Sequence, residues 1–357
     1  MKKSIIKKIF IKLSRVLGYE IIDQSDFKSP TLQKELNEDL SIINKKSIVL
    51  PLGEVKITKR VNSVLIIFRT NTDIEIWDQN KKRLFEEPKI EYSLRALNSL
   101  IRSINFSKTK YPNIKFKIII VDDKSKEENL NKIKKLIDAN NLDINIIHLN
   151  HGKYKDKIKQ QKNNQTFSNL ASLLQSFELG KEHGQDLVFF VEDDYLHFEP
   201  MMEEMIASYE RIASQVNRDI FMCPADYPYL YMNNEKTNIL IGNKRHWRTI
   251  NQTLCTFMTT KSLLDRYWNS FNKTCLDRYD PFEKYLNEIY TKELCISPLK
   301  SLSLHLTNVN SSYGLSPFID CKKLWEENNT PKVDTTIIRN WAKEMKTKLE
   351  QTFGETK

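Results

Sequence analysis

Apolar residues follow two rhythms along the middle of this chain. Four continuous runs are closed by polar residues: Ser63 to Phe68 (SVLIIF), Phe116 to Val121 (FKIIIV), Ile144 to Leu149, and Leu187 to Val191 within DLVFFVEDDY. Such runs read as strands buried on both faces. Between them apolar positions recur at helical spacing. Glu91 to Ile104 carries Leu94, Leu97, Leu100, Ile101 and Ile104. Ser125 to Ala139 opens on a capping-box spacing, Ser125 with Glu128. Thr166 to His183 is followed by Gly184, a stop signal. Lys153 to Asn164, rich in Lys, Gln and Asn, reads as a mobile loop. Strand and helix alternating over short connections predict a doubly wound α/β fold with a mostly parallel sheet.

Outside that stretch the pattern changes. Met1 to Leu17 sets Ile5, Ile6, Ile9, Phe10, Leu13, Val16 and Leu17 against Lys2, Lys3, Lys7, Lys8, Lys12 and Arg15. This is an amphipathic helical period, too short and too interrupted by charge to span a bilayer or serve as a signal peptide. It fits either a helix lying on an anionic leaflet or one packed on the protein body. Asp23 to Lys59 reads as an irregular connector with one helix near Leu32 to Ile43, broken by Pro30, Pro51 and Gly53. After Glu199 come a helix from Pro200 to Gln215 and an aromatic stretch from Ile220 to Tyr231. Then follow a strand within Thr253 to Thr259, a helix from Lys261 to Ser270, and a strand from Ser301 to Leu306. Asp280-Pro281-Phe282-Glu283 has the order of a helix start, and Asp334 to Lys357 reads as a charged terminal helix. The organisation expected is a basic helix (1–22), a connector (23–62), one α/β domain (63–330) and a charged helix (331–357).

Composition narrows the classes. The chain has 357 residues, 40% hydrophobic and 29% charged, enough to bury a sizeable core. The net charge of +10 is spread over many lysines. No zinc finger, RNP-like strand or compact Arg-rich helix accompanies it, so nucleic acid is not the expected partner. A basic surface equally suits anionic membranes or phosphorylated substrates. Five scattered cysteines without a C-x-x-C pair suggest a reducing compartment and inert thiols. The expected location is the cytoplasm, peripheral on the inner face of the cell membrane.

The candidate chemistry lies where strands end. Arg69 and Thr70 close the first strand, Asp122 and Asp123 the second, and Glu192, Asp193 and Asp194 the fourth. The carboxyl ends of such strands form the edge at which open α/β sheets bind ligands. Alternation points Glu192 and Asp194 one way and Asp193 the other. Two carboxylates on one short turn suit Mg²⁺ or Mn²⁺ held jointly with substrate phosphates, or they are solvated acids after a core strand.

Here the residues resemble a family. The order strand-RT, helix, strand-VDDKS, helix, strand, helix, strand-EDD is similar to nucleotide-sugar-dependent glycosyltransferases of the GT-A type, a Rossmann-like fold, and most similar to family 2. The resemblance covers about Ser63 to Leu306. It implies that Asp123, with Asp122 beside it, holds the base or ribose of the donor, where Arg69 and Thr70 also lie. It implies that Glu192 and Asp194 hold a metal on the diphosphate, although Glu stands where the family's usual first Asp would be. His305, at a late strand end, resembles the histidine that joins the metal in many members; imidazole suits Mn²⁺ better than Mg²⁺. Asp280 and Glu283 lie where the family carries its base, although D-P-F-E is also a capping arrangement. Asp226, Tyr227, His246 and Trp247 form either an acceptor platform or core. The implied reaction is inverting transfer from a nucleotide-diphosphate sugar to a glycan or lipid-linked acceptor, as in envelope polysaccharide synthesis. A nucleotidyltransferase or a non-catalytic membrane-surface scaffold are the alternatives. The first would need a glycine-rich phosphate loop after the first strand, which FRTNTDIEIW lacks.

Overall fold

The structure is a computed structural model that describes residues 5–19, 39–49, 53–73, 83–231, 236–306 and 315–330. The terminal helix expected over 334–357 lies outside the described residues. In chain order the elements begin with α1 (Ile5–Val16), β1 (Ser41–Ile42), β2 (Lys46–Val49), β3 (Gly53–Val55), β4 (Ser63–Thr70), α2 (Lys89–Lys110), β5 (Lys115–Asp122) and α3 (Glu127–Asp138). They continue with β6 (Asp143–His148), α4 (His151–Tyr154), α5 (Asn164–His183), β7 (Leu187–Glu192), β8 (Tyr195–His197) and α6 (Met201–Val216). The last third holds β9 (Phe221–Met222), β10 (Ile239–Ile241), β11 (His246–Thr249), β12 (Phe257–Thr260), α7 (Lys261–Arg266) and α8 (Trp268–Leu276). It closes with α9 (Lys284–Tyr290), β13 (Cys295–Leu299), β14 (Ser303–His305) and α10 (Cys321–Glu327).

Among the described residues a nine-stranded sheet runs β10-β11-β13-β9-β12-β7-β4-β5-β6. β7, β4, β5 and β6 are mutually parallel, and β12 runs against β7. The period of two explains how such apolar strands pack. Val64, Ile66 and Phe68 of β4, Ile118 and Ile120 of β5, and Phe189 and Val191 of β7 enter one core with α2 and α6. Their alternate neighbours Leu65, Ile67, Ile119, Val121, Val188 and Phe190 enter a second core with α5 and α8. The sheet is therefore covered on both faces, as the continuous apolar runs required. Gly180 lets α5 sit tightly on β7, since a Cβ there would come 2.6 Å from the Phe190 ring.

Three local expectations need correction. The stretch expected as a connector contains a three-stranded sheet, β1-β2-β3, and residues 41–42 are strand rather than helix. Glu210 of α6 anchors it by accepting from the Asn44 and Val61 backbone N–H groups. The stretch expected as a loop begins in the short helix α4, and Tyr154 and Ile158 are buried in the second core, while the residues around them are irregular and mostly exposed. Ser125 does not cap α3, which starts two residues later with Lys126 as its N-cap; the Ser125 hydroxyl instead accepts from the Thr72 N–H.

Apart from the large sheet, β8 and β14 form a two-stranded antiparallel ribbon that sets His305 opposite Tyr195 and Ser303 opposite His197. A third cluster, Leu196, Leu304 and Leu306 with Tyr92 and Trp325, packs this ribbon against α2 and α10. The ribbon thereby brings a late histidine back to the end of β7.

Candidate active site

β7 ends in Glu192, and only Asp193 and Asp194 separate it from β8. The three acids meet three different environments. Asp193 turns back under the sheet edge. It accepts from Lys89 Nζ at 2.5 Å, Ser93 Oγ at 2.6 Å, Thr70 Oγ1 at 2.8 Å and the Asn71 N–H at 3.3 Å. It is a structural acid, saturated with donors, that ties β4 and α2 to the turn. Asp194 faces the ribbon, where its carbonyl accepts from Leu306 N–H at 2.9 Å and its Oδ2 lies 3.3 Å from His305 Nε2. Glu192 is bonded to the Arg69 guanidinium, which also donates to Asn169 of α5.

Glu192, Asp194 and His305 thus converge from two strand ends and the turn between β7 and β8, with one ligand atom from each lying within 4.8 Å of the others. His305 is fixed by stacking on Tyr195, ring centroids 4.4 Å apart and planes 5° apart. Tyr195 in turn is hydrogen-bonded to Tyr227, and burial pushes both phenols well above their ordinary range, so both stay protonated. Burial alone would lower the His305 imidazolium; the Asp194 and Glu192 carboxylates outweigh it and the net shift is upward. Burial likewise raises Glu192, opposed by Arg69 and reinforced by the like charge of Asp194. His305 Nδ1 is buried without a protein partner among the described residues. Two carboxylates and an imidazole within reach of one ion are a donor set that fits Mn²⁺ or Mg²⁺. Arg69 already shares Glu192, so Asp194 and His305 are the readier ligands.

Two strands from β7, beyond β4, the end of β5 carries the second pair of acids. Asp122 is fully buried, accepting from Ser125 N–H, with His148 Nδ1 3.1 Å from its carboxylate. Asp123 is 5% exposed, beneath Asn71 (Nδ2 donating at 3.2 Å) and His151 (Nε2 at 2.7 Å). Thr70 Oγ1 donates to Asp193 and Asp122 Oδ2 is engaged inside the fold, while Asp122 Oδ1 is buried without a partner among the described residues. Asp123 is held by Asn71 and His151, so a ligand that reached its carboxylate would displace one of them. His151 was missed from the sequence. The rule applied to β4, β5 and β7 would have found it, since it lies three residues past the end of β6.

On the far side of His305 a shallow pocket is lined by Asp226, Tyr227, Ser301, Ser303 and Ser316. Asp226 Oδ1 accepts from Arg248 (Nε at 3.0 Å, Nη2 at 2.8 Å) and Oδ2 from Tyr231 at 2.6 Å, while the Arg248 guanidinium lies 4.1 Å from the Tyr231 ring centroid. Of the four acceptor candidates, Asp226 and Tyr227 border this pocket. Trp247 does not. It is 0% exposed in the core, pressed on Gly242, where a Cβ would come 2.2 Å from Nε1, and it offers no face to a sugar. His246, one residue earlier, is exposed.

The two candidate bases differ as sharply. Asp280 is exposed and caps no helix, because α9 begins at Lys284 with no side-chain cap. Glu283 is 5% exposed and reaches back to accept from Thr253 Oγ1 and the N–H groups of Leu254 and Cys255. Those two residues have positive φ, 51° and 58°, a costly pair for side-chain-bearing residues that the carboxylate holds in place. Burial pushes Glu283 up, partly offset by the bonds from Cys255 and Leu254. Cys223, Cys255, Cys275 and Cys295 are buried free thiols and Cys321 is half-buried.

No protein-family model matches the sequence, and no curated protein matches it. Solved structures with a similar α/β frame include TarS 1–349 of S. aureus, at 13% identity and TM-score 0.38, with 66% of this chain and 57% of that one covered. The galactosyltransferase LgtC in complex with donor and acceptor sugar analogues is 11% identical at TM-score 0.33, covering 63% and 70%. A UDP-glucose pyrophosphorylase complexed with UDP-glucose is 9% identical at TM-score 0.35, covering 75% and 97%. The chain thus spans little more than half of TarS 1–349, and its chemistry has to be read from its own residues.

Proposed function

We propose that the chain is a metal-dependent glycosyltransferase of the GT-A type. It would move a sugar from a nucleotide-diphosphate donor to a glycan or lipid-linked acceptor, in envelope polysaccharide synthesis at the inner membrane face. The observation that carries this reading is the meeting of Glu192, Asp194 and His305 at the carboxyl edge of a parallel sheet, two strands away from Asp123. Asp123 would take the nucleoside under His151 and Asn71. A divalent cation bound by Asp194 and His305, with Glu192 beside it, would supply charge for the departing diphosphate. Asp226 and Tyr227 would flank the acceptor. Asp280, the open carboxylate of the candidate pair, would accept the proton of the attacking hydroxyl. The hydroxyl oxygen then bonds to the anomeric carbon from the face opposite the leaving diphosphate, which inverts the configuration. Glu283, already accepting three hydrogen bonds, is assigned the positioning of 253–255.

Against a nucleotidyltransferase, the turn after β4 has no glycine: Asn71 is bonded to Asp123 and Asp73 accepts from the Lys126 N–H at 2.5 Å. Titration calorimetry with UDP, with and without Mn²⁺, tests the proposal, followed by a screen for nucleotide-sugar hydrolysis. Metal-dependent UDP binding with hydrolysis of one donor supports it. No binding would leave a scaffold, and pyrophosphate release from UTP plus a sugar phosphate would make it a nucleotidyltransferase.

A further inference from the structure

We infer that α1 is a docking element for an anionic lipid bilayer, a claim independent of the transferase reading. Successive residues of an α-helix turn by about 100°, which gathers Ile5, Val16, Ile9, Leu13, Leu17 and Phe10 into an arc of about 140°. All six are exposed, from 58% at Leu13 to 80% at Val16. A helix that packs on the body by such an arc looks like α2, where Leu97 and Leu100 are fully buried. Within the described side chains of α1, the half-buried ones are Ile11 and Ser14, and both lie on the other arc, with Lys12 and Arg15. Among the described side chains, the cover on the helix is therefore on its polar side and its apolar side is exposed.

Charge selects the occupant. The first nineteen residues hold six basic side chains and no acidic one. A second protein would have to match an apolar stripe flanked by unbroken positive charge; an anionic leaflet offers both partners at once, acyl chains below and phosphates around. Twelve residues rise about 18 Å, well short of the roughly 30 Å hydrocarbon core, so the helix lies in the interface. No helix among the described residues is long and apolar enough to cross a membrane.

The test is co-sedimentation of the full chain with vesicles of equal parts phosphatidylcholine and phosphatidylglycerol, and with phosphatidylcholine alone. Binding to the mixed vesicles is expected to be at least about tenfold stronger, and to fall as salt rises from about 50 to about 500 mM. The double variant Ile9→Glu/Phe10→Glu should bind mixed vesicles at least about tenfold more weakly while keeping its thermal midpoint, since neither residue is buried. Full chain left in the supernatant at low salt overturns the inference, as does a double variant that binds like the parent. So does a dimer in sedimentation equilibrium that the double variant dissolves while vesicles bind neither form; the arc would then join two copies.

Discussion

The two halves of the large sheet do different work. On one side β6, β5, β4 and β7 are parallel strands of six to eight residues whose carboxyl ends carry Asp122, Asp123, Glu192 and their partners. On the other side β12, β9, β13, β11 and β10 are two to five residues long and run in both directions. Parallel strands bring their ends to one edge, so polar residues there collect into a site. Antiparallel strands alternate their ends, so the second half supplies walls and anchors such as Trp247. The candidate metal centre joins the first half to the β8–β14 ribbon, whose second strand follows the second half, through His305.

The sharpest way to break this comparison is at Asp194. Asp194→Asn should lower transfer about a thousandfold, the scale of losing an electrostatic partner of the reacting charge, with the thermal midpoint within about 2 °C of the parent. Full activity in that variant would remove the metal centre from the first half. On the wall side, Trp247→Ala should cost about 3–5 kcal/mol of stability by urea unfolding and leave the acceptor KM unchanged. A raised KM at unchanged stability would return the indole to the acceptor platform.

A third measurement concerns the ribbon. His197 is buried beside Ser303, its Nδ1 2.6 Å from the hydroxyl, and burial lowers its pKa to about 3. The unfolded histidine takes up a proton below about pH 6.5 and the folded one does not, so this stability is present above that pH and is lost as pH falls toward 3. At pH 5 the loss should be about 2 kcal/mol. Glu210 works in the opposite sense: burial raises it to about 7, so protonation between about pH 7 and 4.5 favours the fold. Unfolding free energies at pH 7 and 5 for the parent and His197→Asn isolate the first effect; equal slopes would show that His197 is charged in the fold. The smallest expected effect sharpens the donor side. Asp123→Ala should raise the donor KM about tenfold with kcat within about twofold, because a nucleoside contact changes little on the way to the transition state. A fall in kcat at constant KM would move Asp123 to the reacting centre.

The same division governs what the sequence reveals. Strands such as SVLIIF and LVFFV announce themselves because burial on both faces leaves no polar position, and the acids closing them stand out. β9 is two residues long and β1 lies in a polar stretch, so neither carries a period to read. Asp193 and Asp194 were separable by alternation alone, and the four donors on Asp193 agree with that parity. Three-dimensional neighbours far apart in the chain left no such trace. D-P-F-E has the order of a helix cap, yet Glu283 reaches back about thirty positions to Leu254 and Cys255, and Arg248 of β11 claims Asp226 from the loop after β9. Those pairings are decided by how loops fold back on distant parts of the chain, which local spacing does not encode.

The β8–β14 ribbon has a consequence for how the chain comes of age. Asp194 and His305 are 111 positions apart, and Arg69 and Glu192 on the paired parallel strands are 123 apart. The two closures cost similar loop entropy, because that cost grows only with the logarithm of loop length. Glu192, Asp194 and His305 meet only in a chain that has made both of them, one on each side of the turn between β7 and β8. A slip of β14 out of register opposite Tyr195 would dissolve the cluster while leaving the parallel strands paired.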